Sequence, residues 1–535
     1  MMDLGTLMDG LAVRVAQGDA AVAILGITED SRQVGPGDLF VARRGQKHDG
    51  RALVPSALAA GAVAVMCDDP ELRLPSGSGA ALLVTGDIAL ASAHVAERFF
   101  GAPSRALVLC GVTGTNGKTT ITYLVHQLAR LAGVRCGMIG TVCVDDGVRS
   151  VPASLTTPPA IELSRVMGAM VANGCGACVM ETSSHSLEQG RVAAMGYRAA
   201  VFTNLSHDHL DYHGTMENYA AAKARLFEML PPEGVAIVNV DDPWTGRMVR
   251  DCRAGVVGCS GQSGTAAQVW AEVLGATTSS TRVRLRALAG GAADGAAEGR
   301  AGLAAVVLAA ARRWDGAEVV LPLVGGHNVT NALQAALAAV AVGGDAALVL
   351  SGLATVKAPP GRLEPVTPLG GAVQAYVDYA HSDDSLRRAL AVLRGSIAPP
   401  GRLICVMGCG GDRDKAKRPA MGRVAAELSD VVVITSDNPR TEEPGAIIGQ
   451  IVAGVPVQMA QKVCVEADRG EAISLAAELC REGDVLLVAG KGHEDYQIIA
   501  EASGVAGGPV RTVKVHFDDR EVTRAALKRR GWVVS

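Results

Sequence analysis

Three short stretches of this 535-residue chain carry residue types that could do chemistry. The first reads GVTGTNGKTT, Gly111 to Thr120, between an apolar run and an amphipathic one. Glycines let backbone N–H groups approach a phosphate, and a helix start adds positive potential. Lys118 and Thr119 stand where a lysine reaches β/γ-phosphate oxygens and a hydroxyl can ligate Mg²⁺. The spacing departs from the strict phosphate-loop pattern at Val112, where a glycine is usual. ATP is still the ligand that Gly114, Thr115, Asn116, Gly117, Lys118, Thr119 and Thr120 fit best. The second stretch, VVVITSDNPRTEEP (431–444), sends a β-forming run straight into Asp437, Asn438, Pro439 and Arg440. Asp, Asn and Pro suit a strand exit, but an acid, an amide and an arginine side by side also suit a ligand clamp. The third, TMENYAAAKARLFEML (215–230), reads as a helix whose Tyr219, Lys223, Leu226, Phe227 and Leu230 share a face. A lysine on such a stripe usually snorkels to water; kept dry, its pKa falls and the neutral amine can capture CO₂.

The elements that must hold these residues alternate. Short β-rich runs and Ala/Leu-rich helical patterns succeed one another, which favours α/β architecture with parallel sheets. The length is too great for one core. Breaks near Gly101–Pro103 and at APPGRLEPV divide it into 1–103, 104–357 and 358–535. The Gly/Ala-rich stretch 283–316 is expected to be a surface excursion of the middle unit. Lys plus Arg (50) nearly balances Asp plus Glu (54), so no basic surface argues for nucleic acid. The longest apolar stretch, AGLAAVVLAAA, is too short to cross a bilayer, and the N-terminus lacks a signal-peptide pattern. The twelve scattered cysteines lack zinc spacing and are expected to be buried free thiols. A cytoplasmic protein without membrane or nucleic-acid partners is the expectation, and a monomer.

Taken together, the motifs resemble those of the Mur ligases, ATP-dependent enzymes that add amino acids during peptidoglycan synthesis. GVTGTNGKTT is similar to their phosphate loop. TTPP (156–159), ETSSHSLEQGRV (181–192), TNLSHDHLDYHGTMENYAAAKARLF (203–227), GGHNVTNALQAA (325–336), PPGRLEPV (359–366), VDYAHSDDSL (377–386), GCGGDRDKAKRP (408–419), SDNPR (436–440) and AGKGHEDYQ (489–497) follow in the family's order. DSRQVGPGDLFVA (30–42) extends the resemblance to the first domain. It implies a small N-terminal α/β domain that binds UDP, a central P-loop-type ATPase domain with a mainly parallel sheet, and a C-terminal Rossmann-like domain for the amino acid. The set most resembles the members that add meso-diaminopimelate to UDP-N-acetylmuramoyl-L-alanyl-D-glutamate through an acyl phosphate, with a lysine-adding member as the alternative.

The resemblance assigns roles by position. Lys118, Glu181, His209 and Lys223 would be catalytic, with Thr119, Glu181, His209 and a CO₂-derived carbamate on Lys223 holding Mg²⁺. Asn328, Asn331, Arg362, Asp378, Tyr379 and His381 would join the loop around ATP. Ser31, Gln46, Lys47 and His48 would meet the uridine end of the muramoyl dipeptide, and Thr156, Thr157, Ser183, Gln189 and Arg191 the rest. Diaminopimelate differs from lysine by a second carboxylate beside its distal amine. Arg440 would take that carboxylate and Glu494 the ammonium, with Arg413, Asp437, Asn438, Pro439 and Gly490 around them. By the same resemblance, lysine-adding relatives lack this arginine.

Overall fold

The computed structural model describes residues 2–45, 49–263, 266–277, 279–289, 302–368, 370–501 and 511–535. Three main sheets follow one another along the chain. The first has five strands between Val13 and Thr85, parallel except for the edge strand Val13–Gln17. The second has eleven strands between Val108 and Leu321. Its centre is parallel and runs Cys136–Ile139, Ala177–Glu181, Val108–Thr113, Tyr197–Phe202, Val235–Asn239. The third has six strands between Glu364 and Ala489, with a parallel core of Gln374–Asp378, Val485–Ala489, Leu403–Cys409 and Val431–Ser436.

Apolar periodicity fixes how the helices dress the central sheet. Lys118–Leu131 turns Ile121, Leu124, Val125 and Leu128 inward, where they share a core with Gly326–Ala341. Ala160–Ala172 and Met216–Glu228 supply the core on the opposite face. Each aliphatic side chain buried in this way contributes about 1.5–3 kcal/mol. Of the stretch 283–316, residues 290–301 lie outside the described residues, and the parts on either side depart from the expected surface excursion. Thr281–Ala287 is a strand of the large sheet, Leu303–Arg313 a helix against it, and Val283, Leu285 and Val307 are buried. Alternating Val283 and Leu285 in a Gly/Ala-rich context is a weak periodic signal, and only pairing with Val269–Ala276 gives it a face to bury.

The parallel cores place the chemistry. In open α/β sheets ligands gather beyond the carboxyl ends of the strands. Here Gly114–Gly117 follows Thr113, Glu181 ends its strand, and Thr203 and Asn204 follow Phe202. In the third sheet Tyr379, Gly410, Asp437 and Gly490 follow their strands in the same way. No helix among the described residues is long and apolar enough to cross a membrane. All twelve cysteines are free and nine are buried; burial pushes the Cys110 thiol up to about 12.

Candidate active site

The loop after Val108–Thr113 turns through Gly114 (φ +147°) and Gly117 (φ +87°) before the helix opens at Lys118. A side chain on Gly114 would strike the Thr203 hydroxyl, and one on Gly117 would come within 2.8 Å of Asn331 Oδ1. Thr203 and Asn204 fasten the loop from outside: Asn116 N donates to Asn204 Oδ1 at 3.1 Å, and Thr203 Oγ1 donates to Asn116 O at 2.6 Å. Lys118 Nζ folds back onto Gly114 O and Thr115 O at 2.9 and 2.8 Å. Burial lowers the pKa of this amine, and Glu181 and Asp208 partly oppose the shift. Thr119 Oγ1 donates to Glu181 Oε2 at 3.1 Å. Glu181 is 1% exposed and also accepts Thr141 N at 2.7 Å and Thr141 Oγ1 at 3.1 Å.

Lys223 does not snorkel. It is 1% exposed, lies over the Tyr219 ring at 4.4 Å and donates to Gly114 O at 2.8 Å. Desolvation drives its pKa well below the ordinary lysine value, and the neighbouring Lys118 charge adds to that shift. Two amines on one carbonyl make a pocket short of negative charge. His209 stands apart from Glu181 and Thr119, with no hydrogen bond to either among the described residues. Its φ is +53°, its Nε2 lies 3.5 Å from Asp208 Oδ2, and its ring meets His185 edge-on at 4.9 Å. No group of three or more His, Cys, Asp or Glu gathers in metal-holding geometry among the described residues. The oxygens of Thr119 and Glu181 are nevertheless the hard donors that Mg²⁺ prefers, so the site fits that ion with the remaining ligands drawn from elsewhere.

Beside Glu181 the hydroxyls expected for the dipeptide come together. Thr157 Oγ1 donates to Glu181 O at 2.7 Å and lies 3.3 Å from Ser183 Oγ, while Thr141 and Thr156 hydroxyls meet at 3.0 Å. Arg191 Nη1 donates to Thr157 O at 2.8 Å, and Gln189 Oε1 accepts its Nη2 at 2.6 Å. Burial lowers the Arg191 pKa, and the first-domain Arg43 adds to the effect. Ser31 begins a short helix capped by Asp30, and no hydrogen bond joins it to this cluster among the described residues. Gln46, Lys47 and His48 lie outside the described residues.

Across from the phosphate loop, the third sheet presents Arg362, whose guanidinium sits 5.2 Å from the Tyr379 ring centre. Its buried Nε has no hydrogen-bond partner among the described residues, which leaves a donor for an incoming oxygen. Asp378 accepts Leu363 N at 2.6 Å; burial raises its pKa and Arg362 opposes the rise. His381 packs on Tyr379 at 4.7 Å, and His493 does so from another side at 5.1 Å. Asn331 Nδ2 donates to Asn328 Oδ1 at 3.0 Å, so the two asparagines form one polar unit beside Gly117. A cavity of about 440 Å³ runs between Tyr123, Val142 and Cys143 of the large sheet's region and Pro360, His493, Glu494 and Tyr496 of the third.

The strand exit at Ser436 forms the last cluster. Asn438 Nδ2 donates to Glu494 Oε2 at 2.9 Å. Arg440, with φ +54°, donates its backbone N–H to Ile498 O at 3.0 Å and its Nη1 to Gly411 O at 2.6 Å. Gly410 leaves room for this guanidinium, since a side chain there would come within 2.9 Å of Nη1. Gly490 (φ +122°) lies over the Asp437 carboxylate. Arg413 is exposed and forms no polar contact among the described residues.

Family models match residues 23–94 (Mur ligase family, catalytic domain), 112–339 (Mur ligase middle domain) and 361–492 (Mur ligase, glutamate ligase domain). A protein of Gloeobacter violaceus described as UDP-N-acetylmuramoyl-L-alanyl-D-glutamate–2,6-diaminopimelate ligase is 41% identical over 518 residues, 95% of each chain. One of the same description from Chlorobaculum tepidum is 42% identical over 526 residues, 98% of this chain and 96% of that one. The chain belongs to the Mur ligase family. A solved structure of a ligase with that description superposes with a TM-score of 0.66 at 29% identity, covering 99% of both chains.

Three residues of this Mur ligase site escaped sequence reasoning. Thr141 reaches Glu181 because Cys136–Ile139 pairs in parallel with Ala177–Glu181, a register invisible in the local pattern. Thr203 is a threonine after a strand, and only the fold puts its hydroxyl on the loop. Lys491, fully buried within Gly-Lys-Gly, had one available signal: a lysine flanked by glycines after the strong strand Val485–Ala489.

Proposed function

We propose that the chain is an ATP-dependent ligase that joins meso-diaminopimelate to the D-glutamyl carboxylate of UDP-N-acetylmuramoyl-L-alanyl-D-glutamate. The product is the UDP-linked tripeptide of peptidoglycan synthesis. One observation carries the reading: the chain combines a phosphate loop on which two amines share one carbonyl with a strand exit that gathers Asp437, Asn438 and Glu494, Arg440 standing on the adjoining turn. Residues 1–103 would hold the uridine end, 104–357 ATP and the muramoyl peptide, and 358–535 the amino acid. The names of the relatives agree with this reading.

The chemistry follows from charge. ATP passes its γ-phosphoryl group to the carboxylate, giving an acyl phosphate and ADP; the amine then attacks the acyl carbon and phosphate leaves. Both steps crowd negative oxygens together, which cations placed in advance stabilise. Lys118 would exchange Gly114 O and Thr115 O for phosphate oxygens, and the unpartnered Arg362 Nε would face the same group. Mg²⁺, held by Thr119, Glu181, His209 and a carbamate on Lys223, would neutralise charge between phosphate and carboxylate. Lys223 suits that modification because burial disfavours its charged form: the amine nitrogen bonds CO₂ and releases one proton. Arg191, Gln189, Thr156, Thr157 and Ser183 would hold the peptide so that its carboxylate meets the loop. Asp437 and Glu494 would receive the distal ammonium and Arg440 the distal carboxylate.

The test is phosphate release by the purified protein with ATP, Mg²⁺, the UDP-muramoyl dipeptide and diaminopimelate. Release that needs all components, with a tripeptide product by mass, supports the reading. Release that ignores the dipeptide or the amino acid contradicts it.

A further inference from the structure

Lys491 is a buried cation that the proposed reaction does not use. Its backbone threads between two walls: a side chain on Gly492 (φ +58°) would come within 2.6 Å of Tyr379 Cβ, and one on Gly490 would meet the Asp437 carboxylate at 3.4 Å. The lysine therefore points inward and is 0% exposed. Its ammonium lies 3.1 Å from Asn438 Oδ1, 3.4 Å from Glu494 Oε2 and 3.7 Å from Asp437 Oδ1. Asn438 Oδ1 also accepts Ile498 N at 2.9 Å, so two donors fix which end of the amide faces the lysine. The other end, Nδ2, then has to face Glu494.

The charges can be counted. Asp437 and Glu494 bring two negative charges and Lys491 one positive charge, leaving one acid's worth uncompensated. Asp437 Oδ1 is buried with no hydrogen-bond partner among the described residues, the Lys491 ammonium standing 3.7 Å away, so it is still able to accept a donor. A partly buried site with one uncompensated negative charge takes one ammonium, and Arg440 alongside it takes one carboxylate. Without the lysine, the buried Asp437 and the half-buried Glu494 would face one ammonium, and a ligand with more positive charge would be favoured.

Resting on the function proposed above, we propose that Lys491 is a positioning residue that brings the amino-acid site, Arg440 included, to zero net charge. In doing so it selects a distal zwitterion over a bare distal ammonium. It orients Asn438 and Glu494 and touches neither ATP nor the muramoyl peptide.

The experiment compares kcat/KM for meso-diaminopimelate with that for lysine in wild type, Lys491→Met and Lys491→Gln. Because both substrates meet the same sample, loss of folded protein cancels in the ratio. Loss of the charge is expected to lower the diaminopimelate-to-lysine ratio by ~10-fold or more in both variants, with KM for ATP within ~2-fold of wild type. Gln keeps a hydrogen bond to Asn438, so a ratio that falls with Met alone assigns the residue to hydrogen bonding and overturns the charge argument. An unchanged ratio in both variants, whatever their thermal stability, overturns the proposal while leaving the function standing. A wild-type protein that does not use diaminopimelate overturns both.

Discussion

The phosphate loop and the strand exit at Ser436 both keep charged groups out of water, yet they satisfy them in opposite ways. At the loop, Lys118 and Lys223 converge on Gly114 O, and the acid nearby, Glu181, is occupied by Thr119 and Thr141 rather than by a lysine. At the strand exit, Lys491 sits among Asp437, Glu494 and Asn438. Lys118 holds positive charge in reserve at the loop, the arrangement a polyanion needs. The exit is almost balanced within itself, the arrangement a zwitterion needs. Desolvating unpaired amines is costly, so the loop is tolerable because backbone carbonyls accept hydrogen bonds from both amines, those of Lys118 until phosphate oxygens replace them.

The comparison breaks most visibly at the loop. Lys118→Ala is expected to lower kcat/KM by ~10³-fold, since a cation aimed at developing charge contributes several kcal/mol. Phosphate-release kinetics measures this; a loss under tenfold would mean that the loop is not holding charge for phosphate. Next comes Lys223→Ala, with a loss of ~10²-fold that a short carboxylic acid such as acetate partly restores by standing in for the carbamate. Activity unaffected by the substitution removes the carbamate from the account. At the exit, Arg440→Ala should cost ~10²-fold in kcat/KM for diaminopimelate while KM for ATP stays within ~2-fold, because one charged partner of a dry site is lost. Equal losses for both substrates would make Arg440 a structural turn residue.

The smallest effect concerns acid stability. Burial and the nearby Arg362 charge lower the His493 pKa from 6.5 to about 4. The unfolded chain therefore binds the proton first, and stability falls as pH drops from 6.5 through about 4. His493→Gln removes this proton linkage, and its loss of Tm over that interval should be shallower than that of wild type. Parallel curves would show that His493 does not contribute.

The loop was legible because its parts are contiguous: strand, glycines, lysine, helix. Arg440 was legible for a related reason, since its turn lies within four residues of its strand. Lys223 stood out as a charge on an apolar stripe, but its partner Gly114 is 109 positions away and only the fold supplies it. Thr141 and Thr203 were not legible because hydroxyls after strands are common and only a parallel register decides which acid or loop they reach. Lys491 was hidden by its glycines, which read as a turn and act as a way of pointing a lysine inward. In the stretch 283–316, composition concealed a strand and a helix that only tertiary pairing buries.

The most direct measurement offers wild-type protein equimolar meso-diaminopimelate and lysine with ATP, Mg²⁺ and the UDP-muramoyl dipeptide, and weighs the product. A site built from Arg440 with Asp437, Asn438, Glu494 and Lys491 gives the diaminopimelate tripeptide in excess of ~100-fold, because lysine leaves the half-buried Arg440 without its carboxylate. Comparable amounts of the two products, or an excess of the lysine product, would contradict the account.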